Sequence, residues 1–329
     1  MQKYVMNEST YLPEGCRISH MSNRELTSSL ISLEYAMAQG AILEGVATLC
    51  DAALSLHVTV GTYEGIIPKE EAAYVPDGEP IKDIAILSRV GKPVCFRVIG
   101  VFKDASPGEP QLLLSRRLAQ RECYQNYIST LEPGDIVPAR VTHLESFGAF
   151  VDVGCGVVSL LSVDCISVSR IRHPSDRLYQ GMLIRTVIKT VDASHHRLYV
   201  SMRELLGSWE ENAGKFHAGQ TVTGIIRSVE PYGMFVELAP NLAGLTELRE
   251  DFRAVAHNYI GRSATVFIKS ICPERMKIKL VLIDAYPDPG HHGELTYFVP
   301  PSCEHMDHWV YSPVSSPRRI ETIFCEKKD

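Results

Sequence analysis

Apolar and acidic positions alternate along Val151-Asp-Val153 and again along Val236-Glu-Leu238, the two-residue period of a half-buried β-strand. The same lead-in precedes both, Glu145-Ser-Phe-Gly-Ala-Phe150 in one and Glu230-Pro-Tyr-Gly-Met-Phe235 in the other. Phe147 and Phe150 are three positions apart, so a regular strand would point their rings to opposite faces. Gly148 between them predicts a bulge or bend that returns both rings to one face. Tyr232, Gly233 and Phe235 repeat the arrangement. Two rings on one exposed face of a small β-domain form a platform on which nucleic-acid bases stack. The competing reading is core filling, the usual place of aromatic side chains.

Three stretches can be laid over one another from a shared glycine, Gly40, Gly134 or Gly219, each with an apolar strand, a turn and a second strand. A short third strand follows, over 64–68, 157–161 and 243–248. Two further apolar segments complete each unit: 93–102 with 111–116, 182–191 with 197–202, and 263–271 with 277–283. Five short strands joined by turns predict a small closed barrel of the oligonucleotide-binding (OB) type. The chain is read as all-β: three tandem five-stranded OB-fold barrels with short helical linkers. The expected divisions are an N-terminal segment with a helix (1–37), a degenerate first repeat (38–118), a helical linker (119–131), a second repeat (132–204), a linker (205–216), a third repeat (217–284) and a C-terminal tail (285–329).

Leu26, Leu30, Leu33 and Met37 fall at helical spacing within 24–38, and Asn23 is placed to cap them. Polar stretches rich in proline and glycine, 76–83 and 103–110, lengthen the first unit as loops. The tail carries two apolar islands, Tyr297-Phe-Val299 and Trp309-Val-Tyr311, and is expected to pack on the last barrel without forming a domain.

With 329 residues, 45% hydrophobic and 22% charged, the chain has room for two or three cores and is not a candidate for wholesale disorder. No apolar run is long enough to span a bilayer, and the N-terminal stretch lacks the apolar core of a secretory leader. Nine irregularly spaced cysteines, none in a Cys-x-x-Cys pair, suggest reduced thiols and a cytoplasmic protein. A net charge of -6 means that phosphate binding needs a local basic patch. Arg170, Arg172 and His173 in the loop 170–177, with Arg140, His143 and Lys189, are the candidates. A solvated loop with a salt bridge from Asp176 to an arginine is the competing reading.

The second repeat combines Gly134, Phe147-Gly-Ala-Phe-Val151 and a close running from Asp192 to Arg197-Leu-Tyr-Val-Ser201. The third combines Gly219, Val222, Gly224 and Tyr232-Gly-Met-Phe-Val236. These units resemble the RNA-binding repeats of bacterial small-subunit ribosomal protein one, the S-one motif, in its short three-repeat Gram-positive form. The resemblance implies that bases stack on the two strand-two aromatics, helped by a histidine after strand three and by an aspartate and an arginine near the last hairpin. Phe147, Phe150, Asp192 and Arg197 fill four of these roles in the second repeat, and Ser162 stands at the histidine position. Tyr232 and Phe235 match in the third, where Glu247 replaces the histidine, Lys277 replaces the arginine, and Arg227 is a further contact candidate. In the first repeat Ala53 and Leu56 occupy the aromatic positions, which predicts a barrel that does not stack bases.

His291, His292, Cys303, His305 and His308 in the tail are spaced too loosely for a zinc site, so no metal is expected. A P-loop, a dinucleotide fingerprint and a nucleophile elbow are all missing, and Asp192 has no partner carboxylate at a fixed spacing. No catalytic residue and no cofactor is therefore expected. The reading is a non-enzymatic protein whose partner is single-stranded RNA, with no membrane partner. The resemblance adds a task in translation: bringing or holding mRNA at the small ribosomal subunit. The first repeat, lacking a platform, is a candidate docking module for the ribosome or another protein. A reading from another class stays open, an OB-repeat regulatory or interaction protein acting with an RNA-degrading or other RNA-processing complex.

Overall fold

Each repeat folds because its apolar positions, alternating along five strands, can all point inward once the sheet closes on itself. The computed structural model describes residues 11–75, 80–106, 109–192, 197–247, 256–287 and 295–325. Barrel one comprises β1 (Leu43–Cys50), β2 (Leu56–Val60), β3 (Tyr63–Ile67), β4 (Pro93–Ser106) and β5 (Glu109–Ser115). Barrel two comprises β6 (Ile136–Glu145), β7 (Gly148–Asp152), β8 (Val158–Ser162), β9 (Leu183–Asp192) and β10 (Arg197–Ser201). Barrel three comprises β11 (Thr221–Glu230), β12 (Gly233–Ala239), β13 (Leu242–Thr246), β14 (Ser263–Cys272) and β15 (Lys277–Tyr286). All three are closed, and in each the third and fifth strands pair in parallel to complete the ring. The architecture is three tandem OB-fold barrels, each with its own hydrophobic core. The shared glycines have a common cause: Gly40, Gly134 and Gly219 all take positive φ (64°, 102° and 89°), which side chains with a Cβ resist.

The expected single helix over 24–38 is two, α1 (Met21–Leu26) and α2 (Leu30–Gln39). Ser29 breaks and restarts the run by accepting the Ser32 N–H as N-cap of α2. Asn23 is not a cap. It lies buried within α1 and exchanges two hydrogen bonds with the Glu44 backbone, its Nδ2 donating to the carbonyl and its Oδ1 accepting from the N–H. The linkers carry α4 (Arg116–Asn126) after barrel one and α5 (Trp209–Ala213) after barrel two, while α3 (Asp83–Leu87) lies in the long β3–β4 connection.

Barrels one and two meet across the N-terminal segment. Glu14 is buried there, fork-bonded to Arg116 at 2.7 and 3.1 Å, and its N–H donates to Asp152 of barrel two. Glu44 accepts the N–H groups of Arg17 and Ile18 on one carboxylate oxygen, while the other is buried without a partner. Burial pushes the Glu44 carboxyl up to about 7, with the Glu14 charge adding to the rise and the N–H bonds opposing it. A raised carboxyl binds a proton in the folded chain at pH values where the unfolded chain has released it. Stability from this group is therefore complete below the ordinary glutamate value and is lost as pH rises towards 7. Glu44→Gln keeps an oxygen for the two N–H groups and removes the charge. Its thermal midpoint is expected to gain on the parent between pH 4 and 7 and to hold that lead above; a difference independent of pH would refute the assignment.

Barrels two and three are joined twice. Arg177, from the β8–β9 loop, forks onto Glu237 of β12 at 3.0 and 2.8 Å, and Arg227 of β11 shares the same carboxylate at 2.9 Å. The tail forms the second tie. It packs Trp309 and Tyr311 into the core of barrel three, as expected, but it also runs along barrel two. There Arg185 donates to the carbonyls of Val299, Pro300 and Cys303, and the Gly134 carbonyl accepts from Met306 N–H. A short hairpin, β16 (His308–Val310) with β17 (Glu321–Ile323), ends the strap.

Candidate nucleic-acid interface

The two phenylalanines share a face for a reason other than the expected glycine bulge. Glu145 faces Gly148 across the β6–β7 ladder, so Ser146 and Phe147 are the two residues of the hairpin turn. Phe147 is thus free of strand parity, and the bulge falls on β6, at Thr142, between Val141 and His143. Gly148 serves close packing instead: a Cβ there would lie 2.5 Å from the Leu161 carbonyl oxygen. Gly233 is held the same way, 2.5 Å from the Thr246 oxygen.

In barrel two the Phe147 and Phe150 ring centroids are 6.0 Å apart with planes at 87°, and Phe147 is 53% exposed. His143 lies nearly parallel to Phe150, 6.4 Å between centroids, and its Nε2 is 2.7 Å from Glu145. Cross-strand pairing extends this row over the outer face: His143 opposite Phe150, Phe150 opposite Leu160, Leu160 opposite Tyr199. Tyr199 was not among the expected contacts. Strand parity carried the signal, because it shares a face with Arg197 while Leu198 and Val200 turn inward. Arg197 is exposed and stands opposite half-buried Asp192 at the mouth of the last hairpin, whose residues 193–196 lie outside the described residues.

Barrel three repeats the geometry. The Tyr232 and Phe235 rings are 6.4 Å apart, again at 87°, and Tyr232 is 62% exposed in the Pro231-Tyr232 turn. Its row runs from Ser228 through Phe235 and Leu245 to Lys279, so a lysine stands where barrel two has Tyr199. Lys277, opposite Cys272, takes the place of Arg197. Lys277 and Lys279 alternate on the exposed face of β15, and Lys269 and Arg275 on the same hairpin are exposed as well, a basic ridge interrupted by exposed Glu274. Lys269 and Lys279 also border a cleft of about 310 Å³, together with Tyr259 and Glu247.

The expected patch on the 170–177 loop is largely committed elsewhere. Arg170 and Arg172 are exposed, but His173 caps the turn Pro174–Asp176 by accepting Ser175 N–H on Nδ1. Arg177 is buried at the seam with barrel three. Arg227, expected as an RNA contact, is the bulged residue of β11, which turns it away from Phe235 and onto Glu237 and Asp176. Arg140 is also at a seam, donating to the Gly181 carbonyl at 2.9 Å next to Cys16 of the N-terminal segment. In the tail, His305 pairs with Asp135 and Asp307, and His308 with Glu321; His291 and His292 lie outside the described residues.

In barrel one the aromatic positions fall one residue away from those expected. Leu56 is fully buried, and the residue matching Phe150 is His57. The bulged Thr48 donates its hydroxyl to the His57 carbonyl at 3.2 Å, as Thr142 does to that of Phe150 at 3.0 Å. One extra residue in the first turn shifts the register, and Leu54, with φ of 62°, stands at the Phe147 position. His57 is held between Glu64 at 2.7 Å and Asp51 at 3.4 Å. The Glu64 bond raises its imidazole above the ordinary value against the opposing effect of burial, with Asp51 assisting. The rest of the row is apolar, Leu49, Ile66 and Leu113, with Phe102 lying over Gly100 beyond it.

Residues 130–203, which span the whole of barrel two, match the family model described as S1 RNA binding domain. Barrel two is similar to the S1 RNA binding domain family. The chain is 38% identical over 179 residues to the small ribosomal subunit protein bS1 homolog of Bacillus cereus, covering 53% of this chain and 47% of that one. It is 28% identical over 187 residues to the small ribosomal subunit protein bS1 of Staphylococcus aureus, covering 55% and 46%. The chain therefore spans about half the length of the curated relatives it matches. Among solved structures, a multidomain protein with nucleic acid binding domains from Streptococcus pneumoniae is 17% identical, with a TM-score of 0.24 over 74% of each chain. The Phe147–Phe150 pair lies within the residues that this family model matches, and the same pair geometry recurs in barrel three. Among the described residues no helix is long and apolar enough to cross a membrane.

Proposed function

We propose that this protein binds unstructured RNA on barrels two and three and holds it at the small ribosomal subunit, acting in translation by binding and not by catalysis. The observation that carries the reading is the duplicated aromatic pair, edge-to-face at 87° in both barrels on equivalent exposed turns. Bases stack on such rings with little regard to identity, so sequence preference is expected to be weak. The barrels divide the work: the first pair is flanked by His143 and Tyr199, the second by the lysine ridge that tracks phosphate. Because the seam and the strap join the two barrels, RNA on one raises the effective concentration at the other.

Barrel one is the docking module in this reading. The outer face that carries rings in its neighbours is apolar there, with Leu49 53% and Phe102 52% exposed, and the Asp51 and Glu64 carboxylates beside His57 disfavour phosphate. The names of the bS1 relatives support the small subunit as the partner.

One titration with two readouts tests both halves. Oligouridine affinity of the whole chain is measured across salt concentration, and co-sedimentation with small ribosomal subunits is followed in parallel. Lys277→Ala with Lys279→Ala is expected to flatten the log affinity against log salt slope by about 0.7 for each phosphate no longer neutralised. Leu49→Asp is expected to release the chain from subunits and leave oligouridine affinity intact. An unchanged slope removes the ridge from the RNA path, and unchanged sedimentation removes barrel one from docking.

A further inference from the structure

Where barrels one and two meet, the surface opens into a cleft of about 160 Å³ bordered by three cationic side chains from both barrels. Arg89 and Lys92 come from the connection leading into β4, and Arg140 from β6. The Nε atoms of Arg89 and Arg140 are buried without a hydrogen-bond partner. Two carboxylates also touch the cleft, but both are engaged. Glu14 is held in the Arg116 fork and accepts the Cys95 N–H at 3.1 Å, with Arg89 more distant at 3.5 Å. Asp152 accepts the N–H groups of Glu14, Gly154 and Gly156 at 2.7, 2.8 and 2.9 Å.

Arg140 is partly engaged by the Gly181 carbonyl and Cys16, but Arg89 and Lys92 are under-compensated. Burial, and then the charge of Arg116, lower the Arg89 guanidinium below its ordinary value. Burial and the charge of Arg89 do the same to the Lys92 ammonium. Burial, reinforced by the Glu14 charge, pushes Asp152 up to about 7, which weakens its repulsion of an incoming anion. A small anion with several acceptor oxygens relieves this arrangement, since it accepts from Lys92 and from the cleft-facing N–H groups of the arginines together.

We propose that the cleft between barrels one and two binds a phosphate group, either free phosphate or the 5′-terminal phosphate of an RNA. The site is separate from the aromatic platforms and is built from both barrels, so its occupation fixes their mutual angle. Binding of free phosphate does not depend on the RNA reading; the RNA-end version does.

The test uses the full chain and inorganic phosphate at constant ionic strength, read by calorimetric titration and by the thermal midpoint. Phosphate is expected to raise the midpoint, as any ligand of the folded state does. Lys92→Met is expected to weaken binding about tenfold, since it removes a charge-assisted hydrogen bond. Lys92→Glu abolishes it, and Lys92→Arg retains it. In a second arm, 5′-phosphorylated oligouridine is compared with its 5′-hydroxyl form. A preference for the phosphorylated end that disappears in Lys92→Glu assigns the site to RNA ends; a response to phosphate without that preference assigns it to the free anion. The proposal is overturned if neither arm depends on Lys92, or if the phosphate response survives Lys92→Glu. Because the phosphate arm needs no RNA, failure of the platforms and failure of this cleft give different results.

Discussion

Replacing Phe147 and Phe150 together by alanine is expected to weaken single-stranded RNA binding by the whole chain about 10- to 100-fold. Each base stacked on an aromatic ring contributes roughly 1–3 kcal/mol, and about 1.4 kcal/mol is one factor of ten. The lower bound applies because barrel three keeps its own pair and its lysines. Core packing is little affected, since Phe147 sits in a turn and Phe150 faces outward between buried Ala149 and Val151. The measurement is a fluorescence titration with oligouridine, with circular dichroism confirming the fold. Unchanged affinity in a folded variant would show that the rings do not carry RNA. Tyr232 and Phe235 give a smaller effect by the same logic, because phosphate contacts on the neighbouring ridge remain.

Glu237→Ala is expected to be the most destabilising single change at the seam of barrels two and three. The carboxylate is buried and serves Arg177 and Arg227 at once. Its removal leaves two largely buried guanidinium groups to share Asp176, which is 3.7 Å from Arg227. Stranding one buried charge by deleting its partner costs about 3–5 kcal/mol. Denaturant unfolding measures the loss, and a change under about 1 kcal/mol would mean that the seam opens readily to water. RNA binding by the variant is expected to weaken as well, because the two platforms then act as separate weak sites.

The barrels were legible because their evidence is local. Strand alternation, turn residues and the shared glycines recur three times, and repetition separates them from chance. The outward placement of Phe150 and Phe235 was legible because it follows from strand parity, and placement was misread where a single residue breaks parity. An insertion between Asp51 and Ser55 moves the aromatic position from Leu56 to His57, and a bulge at Arg227 turns an expected RNA contact into a seam residue. The partners of the seams could not be read at all. Arg177 and Glu237 are far apart in sequence, and neither spacing nor composition says that they meet. The same holds for Arg185, whose long reach to the carbonyls of the tail shows nothing of itself in the alternation of β9.

The strap also sets an order of assembly. Barrel two can close as soon as Ser201 has been synthesised, and its junction with barrel one uses the N-terminal segment made earlier. Its orientation towards barrel three is set in two stages: the Arg177–Glu237 seam can form once barrel three has closed, while the second tie waits for residues 297–306, which are made only afterwards. During synthesis both aromatic pairs therefore exist, joined by the seam alone, before the second tie is in place. A growing chain is hinged on that one seam until the strap clamps it from the other side.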